Sequence, residues 1–320
     1  MDRNLFRGVA WRLGLAALLV GVACAKDAAP ADRVRANLST LRDIVTVPTR
    51  ARPDLVENSA AVMSAQYPGV LYTVNDSGNE PLLFALDTTG ADRGVWRIAG
   101  ATNVDWEAAS IGRCANDARP RCVYIGDVGD NESFHSSRTI YRVAEAEPRD
   151  SSFTGALSPD SVSYTYPDGK HDVEAMYVAP NGDTFLITKR PERARTLHLR
   201  PALVYRLPAS VWTQRNRVVA ERVDSLPIVP GSTPLRTITD ASLSFDAKHL
   251  AVRTYGELYI FATDSLTGRV NHAVGASVCD IAPLGEPQGE GVSWARNDGR
   301  FVFSSEGHGV PLHIANCPLP

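Results

Sequence analysis

The feature that most constrains this chain is a short motif that recurs five times along it. In each copy a polar or acidic residue precedes Ala or Gly at the start of an apolar, strand-like run. The copies are Ser59-Ala60, Glu107-Ala108, Glu174-Ala175, Asp240-Ala241 and Glu290-Gly291. Successive copies are 48, 67, 66 and 50 residues apart. Repeats of about this period are typical of propellers or arrays of similar units.

The sequence around these copies predicts an all-β fold. Short runs of Val, Ile, Leu, Tyr and Phe alternate with turn sequences, such as the Pro-Asn-Gly-Asp at 180–183. With about four strands per unit, five copies predict a single five-bladed β-propeller. A sixth blade in Asn37–Asn58 or Pro191–Arg236 remains open. A β-sandwich, the alternative fold, gains no support from a five-fold recurrence.

The two ends of the chain are predicted to meet. We expect Leu38–Val47 to form an outer strand of the last blade, so that the N-terminal strand closes the ring. Closure of this kind removes exposed sheet edges, which would otherwise be free to pair with other chains. The propeller domain is therefore predicted to extend over residues 37–320.

The N-terminus has the features of an export signal. Three arginines precede the apolar run Leu13–Val22, which is too short for a permanent transmembrane helix. Residues 1–25 are thus predicted to be a signal peptide and residues 26–36 a tether. Gly21-Val22-Ala23-Cys24 resembles a lipobox, which implies lipidation of Cys24, although ordinary cleavage after Ala25 remains open.

These features place the protein outside the cytoplasm. We expect a periplasmic protein, an outer-membrane-anchored lipoprotein or a secreted one, with membrane contact only through a lipid on Cys24. We also expect a monomer. With 33 basic and 36 acidic residues and a net charge of −3, the composition gives no reason to expect nucleic-acid binding.

Four of the five cysteines remain after Cys24 is set aside. In an oxidising compartment the natural pairs are Cys114–Cys122, which closes a short loop, and Cys279–Cys317, which ties the chain end to an earlier strand. Free buried thiols are the alternative.

Several polar motifs resemble those of a group of bacterial exported β-propeller proteins. The group is more distantly similar to calcium-dependent propeller phytases and TolB-like propellers. The motifs lie at residues 75–78, 105–107, 126–131, 166–169, 189–190, 253–255, 288–291 and 304–307. This resemblance implies a propeller fold and, less strongly, calcium. It does not imply phosphatase activity, because the Asp-Asp-Pro-Ala segment of phytases is missing.

Strand geometry predicts where the polar residues gather. In an antiparallel hairpin the start of one strand lies beside the end of the next, so both polar sets should surround one channel mouth. The predicted pairs are Ser59 with Asp76, Glu107 with Asp127, Glu174 with Lys189, Asp240 with Arg253, and Glu290 with Glu306. Acids without bases then concentrate in the fifth, first and second blades.

Crowded carboxylates without histidine or cysteine favour Ca²⁺, a hard cation that prefers oxygen ligands. The predicted metal ligands are Asp76, Glu107, Asp127, Asp130, Glu290 and Glu306. The predicted ligand-binding residues are Lys189, Arg190, Arg253 and Tyr255. Simple cross-strand ion pairs, Glu174–Lys189 and Asp240–Arg253, are the alternative for those acids and bases, and amide capping is the alternative for the segment 127–131.

The predicted function is an exported, calcium-containing propeller that binds a polar or anionic small ligand at the channel mouth. One alternative is a metal-dependent hydrolase of phosphate esters or lactones, with Glu107 or Glu174 as the catalytic base. The other is a non-catalytic platform for an envelope protein. The sequence contains no Gly-x-Ser-x-Gly elbow, His-Glu-x-x-His motif, phosphate-binding loop or dinucleotide fingerprint.

Overall fold

The computed structural model describes residues 38–49, 54–149, 155–189, 201–214, 217–229 and 233–320. The predicted signal peptide, the tether and Cys24 lie outside these ranges, as does Arg190, so the expectations for them stay predictions. Within the described residues, no helix is both long and apolar enough to cross a membrane.

The strands form five sheets, which confirms the prediction of an all-β propeller with five blades. Blade I contains β3 (Val62–Met63), β4 (Val70–Val74), β5 (Leu82–Asp87) and β6 (Asp92–Ile98). Blade II contains β7 (Trp106–Gly112), β8 (Cys122–Asp127), β9 (Arg138–Ala144) and β11 (Asp160–Thr165). Blade III contains β12 (Val173–Val178), β13 (Thr184–Thr188), β14 (Ala202–Leu207) and β16 (Glu221–Leu226).

Blade IV contains β17 (Ile238–Leu243), β18 (His249–Thr254), β19 (Glu257–Ala262) and β20 (Ser277–Asp280). Blade V contains β21 (Gly289–Arg296), β22 (Arg300–Ser305) and β23 (Leu312–Asn316), and the N-terminal β2 (Arg42–Val47) completes it. Within the described ranges, short 3-10 helices occur in the connections at Ala209–Thr213, Pro234–Arg236 and Ala282–Leu284. The inner strands β3, β7, β12, β17 and β21 contact one another in a closed ring.

Extra strands at the outer edges join neighbouring parts of the chain. β10 (Gly155–Leu157) pairs in parallel with β6, and β15 (Val218–Val219) pairs in parallel with β11. The segment predicted as one closing strand is two: β1 (Leu38–Thr40) pairs with β20, and β2 pairs with β23. The buried Leu41 lies between them, so the N-terminal segment closes the ring by joining blades IV and V.

The hydrophobic core lies between the blades. Five apolar clusters each contain residues of two adjacent blades, and together they complete the circle. Trp106 packs between blades I and II, and Trp294 packs between blades IV and V. Burial of one large apolar side chain contributes roughly 1.5–3 kcal/mol. Blade-to-blade packing is therefore the main apolar term that holds the ring together.

The recurring Ala or Gly of the sequence motif is explained by the ring. Ala60, Ala108, Ala175 and Ala241 are each at most 2% exposed. A Cβ atom at Gly291 would lie 2.6 Å from the Cβ of Ala61, which immediately precedes the neighbouring inner strand. Small side chains at these positions let five inner strands approach the axis closely.

Both predicted disulfides are present, Cys114–Cys122 and Cys279–Cys317. The first closes the connection between β7 and β8. The second links β20 of blade IV to the residue that follows β23 of blade V. The covalent link and the two N-terminal strands thus act at the same pair of blades.

The buried Asp240 connects three blades. Its carboxylate accepts hydrogen bonds from the backbone N–H groups of Val292 at 2.8 Å and Ala61 at 3.4 Å, and from its own neighbour Ala241 at 2.7 Å. Val292 belongs to blade V and Ala61 precedes the inner strand of blade I. One buried carboxylate therefore joins blades IV, V and I.

Replacing Asp240 with Ala should lower the free energy of unfolding by about 2–4 kcal/mol, because buried N–H groups on two neighbouring strands lose their acceptor. Chemical denaturation measures the change. Asp298→Ala, at an exposed turn, is the control and should change the free energy by less than about 0.5 kcal/mol. Equal losses in the two variants would contradict the proposed role of Asp240.

Candidate functional site at the channel mouth

A β-bulge occurs at the same place in the inner strands. The pairing shifts by one residue between Trp106 and Ala108, between Val173 and Ala175, between Ile238 and Asp240, and between Gly289 and Gly291. In blade I it shifts between the bridge Asn58–Asn75 and the pair Val62–Tyr72. A bulge places an extra residue in one strand and changes the direction of its side chain.

The bulges define two sets of residues around one end of the channel. The bulge residues are Ser59, Glu107, Glu174, Thr239 and Glu290. The exit residues, which follow the paired ends of the second strands, are Asp76, Val128, Lys189, Tyr255 and Glu306. We call these two sets, together with Asp105, the acid mouth.

This arrangement brings together most of the predicted site residues, namely Asp76, Glu107, Glu174, Lys189, Tyr255, Glu290 and Glu306. Electrostatic coupling extends across the mouth, from Glu107 to Glu174 and from Glu306 to Asp76. Glu174 forms the predicted ion pair with Lys189, whose ammonium also donates to Asn131 Oδ1 at 3.4 Å. Burial alone would lower the pKa of Lys189. The charges of Glu174, Asp172 and Glu107 outweigh this effect, so the pKa is raised.

Asp240 and Arg253 face each other across their hairpin as predicted, but they do not form an ion pair within 4 Å. Arg253 is 0% exposed, so the structure does not place it where a ligand could contact it. Its guanidinium donates to the carbonyl oxygens of Gly291 at 2.6 Å and Ser304 at 3.0 Å, and it pairs with Glu286. The residue of blade IV that corresponds to the three glutamates is Thr239, not Asp240.

The carboxylates of Asp127 and Asp130 accept hydrogen bonds from backbone N–H groups. Asp127 accepts a hydrogen bond from the N–H of Asp105 at 2.9 Å and lies 3.6 Å from the Arg138 guanidinium, a base that the strand-end pairing did not include. Asp130 accepts from Phe134 N–H at 2.8 Å and from His135 N–H at 3.2 Å. These contacts match the capping alternative.

Asp76, Asp105 and Glu107 form the group best suited to a metal ion. One carboxylate oxygen from each lies within 4.8 Å of those of the other two, the only such cluster among the described ranges. Glu107 is 4% exposed, and in the described part of the chain its side chain makes no hydrogen bond and no ion pair. Asp105 is the member for which the sequence left two roles open, contact with a ligand and capping of loop amides, because an acid before a strand is commonly a cap.

The pKa values at the mouth reflect burial and mutual repulsion. Burial and the Asp76 charge raise the pKa of Asp105 to about 7. Burial, Glu174 and Asp76 raise the pKa of Glu107. In blade V, burial raises the pKa of Glu290 to about 7, and Glu306 adds to the shift. Burial and Asp76 raise the pKa of Glu306 to about 7.

Comparison with known proteins supports the fold. Mala s 1, the major allergen of Malassezia sympodialis, has 9% sequence identity and a TM-score of 0.51, with 87% of this chain and 96% of that chain covered. At this identity the likeness shows the fold alone. The predicted similarity to propeller phytases and TolB-like domains stays a prediction. No protein-family model matches the sequence, and no curated protein matches it.

Weaker likenesses include two enzymes. Glutaminyl cyclase of Myxococcus xanthus has 11% identity and a TM-score of 0.48, with 87% and 97% of the two chains covered. A gluconolactonase of Xanthomonas campestris has 15% identity and a TM-score of 0.41, with 88% and 92% covered. We draw no functional argument from either.

The raised carboxyl pKa values predict how the metal-free protein responds to pH. Asp105, Glu290 and Glu306 hold protons up to about pH 7 when folded, but only to about pH 4 when unfolded. Between these values the folded state binds more protons, so its free energy of unfolding falls as pH rises. The thermal midpoint in chelator should be lower at about pH 8 than at about pH 5.5.

Glu306→Gln is the matched variant for this measurement, since it removes one of the three titrating groups with little change in size. Its midpoint should fall less over the same pH range. A wild-type midpoint that rises with pH in chelator would contradict the assignment.

Proposed function

We propose that this protein is a calcium-containing propeller that binds a small polar ligand at the acid mouth. The single observation that carries the calcium site is the Asp76–Asp105–Glu107 group, in which three carboxylates converge and Glu107 has no partner in the described part of the chain. Carboxylates this close repel one another unless they hold protons or bind a cation.

The chemistry of the group fits calcium better than zinc or copper. Its ligand atoms are all carboxylate oxygens, which hard cations prefer, and it contains no histidine or cysteine. Among the described residues, the one base that forms an ion-pair contact with the group is Arg138, 3.9 Å from Asp105, and it is shared with Asp127 at 3.6 Å. A cation would therefore supply positive charge that the protein itself does not provide.

Gly129 fits the same interpretation. A Cβ atom at this position would lie 2.6 Å from Asp105 Oδ2 and 2.6 Å from Glu107 Cγ. The missing side chain therefore lets the two carboxylates lie close together against the backbone. Asp76, Asp105 and Glu107 would hold the ion, which would serve there to fix the loops and to polarise a bound oxygen.

The charges favour a polar ligand over a strongly anionic one. Of the bases predicted to face an anion, Lys189 is paired with Glu174, Arg253 is fully buried and Arg190 lies outside the described residues. The calcium ion would be the main positive group facing an incoming ligand.

Calcium should raise the thermal midpoint of the metal-free protein. Binding to the folded state alone adds about 2.7 kcal/mol when free calcium is one hundred times the Kd. Glu107→Gln keeps the size of the side chain but removes a ligand charge, and it should weaken calcium binding at least about tenfold. Calorimetric titration of chelator-treated protein measures both affinities.

Glu80→Gln is the control for this titration, because Glu80 is exposed and, among the residues that the structure describes, its carboxylate pairs with Arg97 alone. Its calcium affinity should equal that of the wild type. An unchanged thermal midpoint at millimolar calcium, together with no bound metal in the purified protein, would show that the site is not a calcium site.

Metal-dependent hydrolysis of phosphate esters or lactones is the second candidate function. It is favoured by Glu290 and Glu306, whose pKa values of about 7 suit groups that exchange protons at neutral pH. Of the predicted bases, Glu107 belongs to the proposed metal group and Glu174 is paired with Lys189.

If this second function holds, a panel of phosphate esters and lactones should show turnover that needs calcium. Glu290→Gln should abolish it while calcium binding is retained, because the variant removes a proton-transfer group and not a ligand of the ion. Turnover that is equal with and without calcium, or equal in Glu290→Gln, would rule out this mechanism.

A further inference from the structure

The five hairpins of the acid mouth are equivalent in backbone, so they can be compared position by position. In blade III the bulge residue is Glu174 and the exit residue is Lys189, and the two form an ion pair. The protein therefore supplies an ammonium group to this buried carboxylate from within the same hairpin. Glu174 is 2% exposed, and a carboxylate so deeply buried is stable only when it is paired or protonated.

Blade V places a second acid where blade III places the lysine. Its bulge residue is Glu290 and its exit residue is Glu306. Neither forms an ion pair within 4 Å with any base in the described ranges. Arg253 is held by Gly291, Ser304 and Glu286, and Lys189 is held by Glu174.

The hydrogen bonds of Glu290 leave one of its oxygens free. Oε1 accepts from the Gln288 amide at 3.0 Å and from the Tyr255 hydroxyl at 3.2 Å. The Gln288 amide also donates to Glu306 Oε1 at 2.7 Å, so it bridges the two acids. Oε2 of Glu290 is buried and has no hydrogen-bond partner, and the residue is 4% exposed. A buried carboxylate oxygen without a donor indicates that a donor from outside belongs there.

We propose that Glu290 and Glu306, with Tyr255 beside them, bind the primary ammonium group of a small ligand. The ammonium takes the place that Lys189 occupies in blade III and donates to the free oxygen of Glu290 and to Glu306. Because Glu306 and Tyr255 are half-buried and Gln288 is exposed, the rest of the ligand extends toward solvent. The proposal deepens the ligand-binding function of the mouth, and it does not depend on calcium.

An ammonium fits this site better than a second calcium ion does. Calcium needs six to eight oxygen ligands. Here both Oε1 atoms already accept from the Gln288 amide, and Tyr255 also donates to Glu290, so N–H and O–H groups point at the carboxylates. The two carboxylates still lack a positively charged hydrogen-bond donor, and a protonated amine is such a donor.

The test uses n-butylamine as the probe and n-butanol as its neutral isostere. Saturation-transfer NMR on the whole protein, with calcium present, should detect binding of the amine and not of the alcohol. Glu290→Gln and Glu306→Gln should each weaken amine binding at least about tenfold, because each removes a charge-assisted acceptor. Glu80→Gln should bind the amine as the wild type does.

A gain-of-base variant gives an independent readout. Glu306→Lys reproduces the blade III arrangement, so it should abolish amine binding and raise the thermal midpoint of the protein. Equal binding of amine and alcohol, or amine binding unchanged in Glu290→Gln, would overturn the proposal. Loss of a second equivalent of bound calcium in Glu290→Gln would overturn it in favour of a metal.

Calcium titrations in the same variants separate this proposal from the calcium site. Glu290→Gln should retain the calcium affinity of the Asp76–Asp105–Glu107 group while losing the amine. Conversely, Glu107→Gln should lose calcium and still bind n-butylamine. If calcium binding fails in the wild type but the amine binds as expected, only the calcium site is refuted.

Discussion

The ring depends on two buried charged side chains of blade IV that are used to connect blades. Asp240 accepts from backbone N–H groups of blades V and I, and Arg253 donates to two backbone carbonyl groups of blade V. Each of these contacts gives a buried backbone group a hydrogen-bond partner from another blade. The two glycines beside Glu290 follow from this: a Cβ at Gly289 would lie 1.6 Å from the Arg253 guanidinium, and one at Gly291 would meet Ala61.

Most of the fold could be predicted because the sequence repeat marks the start of each inner strand, where the backbones approach closely. Each inner strand needs a small residue near the axis, and this need recurs wherever a blade begins. The exact closure could not be predicted in the same way. Leu38–Val47 contains no Gly or Pro that marks a break, yet the strand is interrupted at Leu41 and the two parts pair with two different blades. That division depends on the positions of β20 and β23, which are distant in sequence.

The sequence predicted which types of residue surround the channel mouth, but not which positions are equivalent from one blade to the next. Counting residues from strand ends aligned Asp240 with the three glutamates, whereas the bulge shifts the true equivalent to Thr239. On the second strands, Asp127 lies one residue and Arg253 two residues before the exit residues Val128 and Tyr255. A bulge depends on local backbone geometry that no residue type in these strands specifies. The role of Asp105 was left open for a related reason, since it depends on the closeness of Asp76, which comes from blade I, as well as of Glu107.

The chemistry of the mouth arises from departures from the fold's internal symmetry. Five equivalent hairpins place ten side chains around one opening, but only blade III pairs an acid with a base there. Two regions, Asp76–Asp105–Glu107 and Glu290–Glu306, retain buried negative charge that opposes folding unless it is protonated or bound by a cation. Because a cation that binds only the folded state stabilises it, occupancy of the mouth and stability of the ring are thermodynamically linked. A protein interior optimised for stability alone would fill these positions with apolar or paired residues, as blade II does at Val128. The retained charge therefore favours binding, and not packing, as the reason these acids are there.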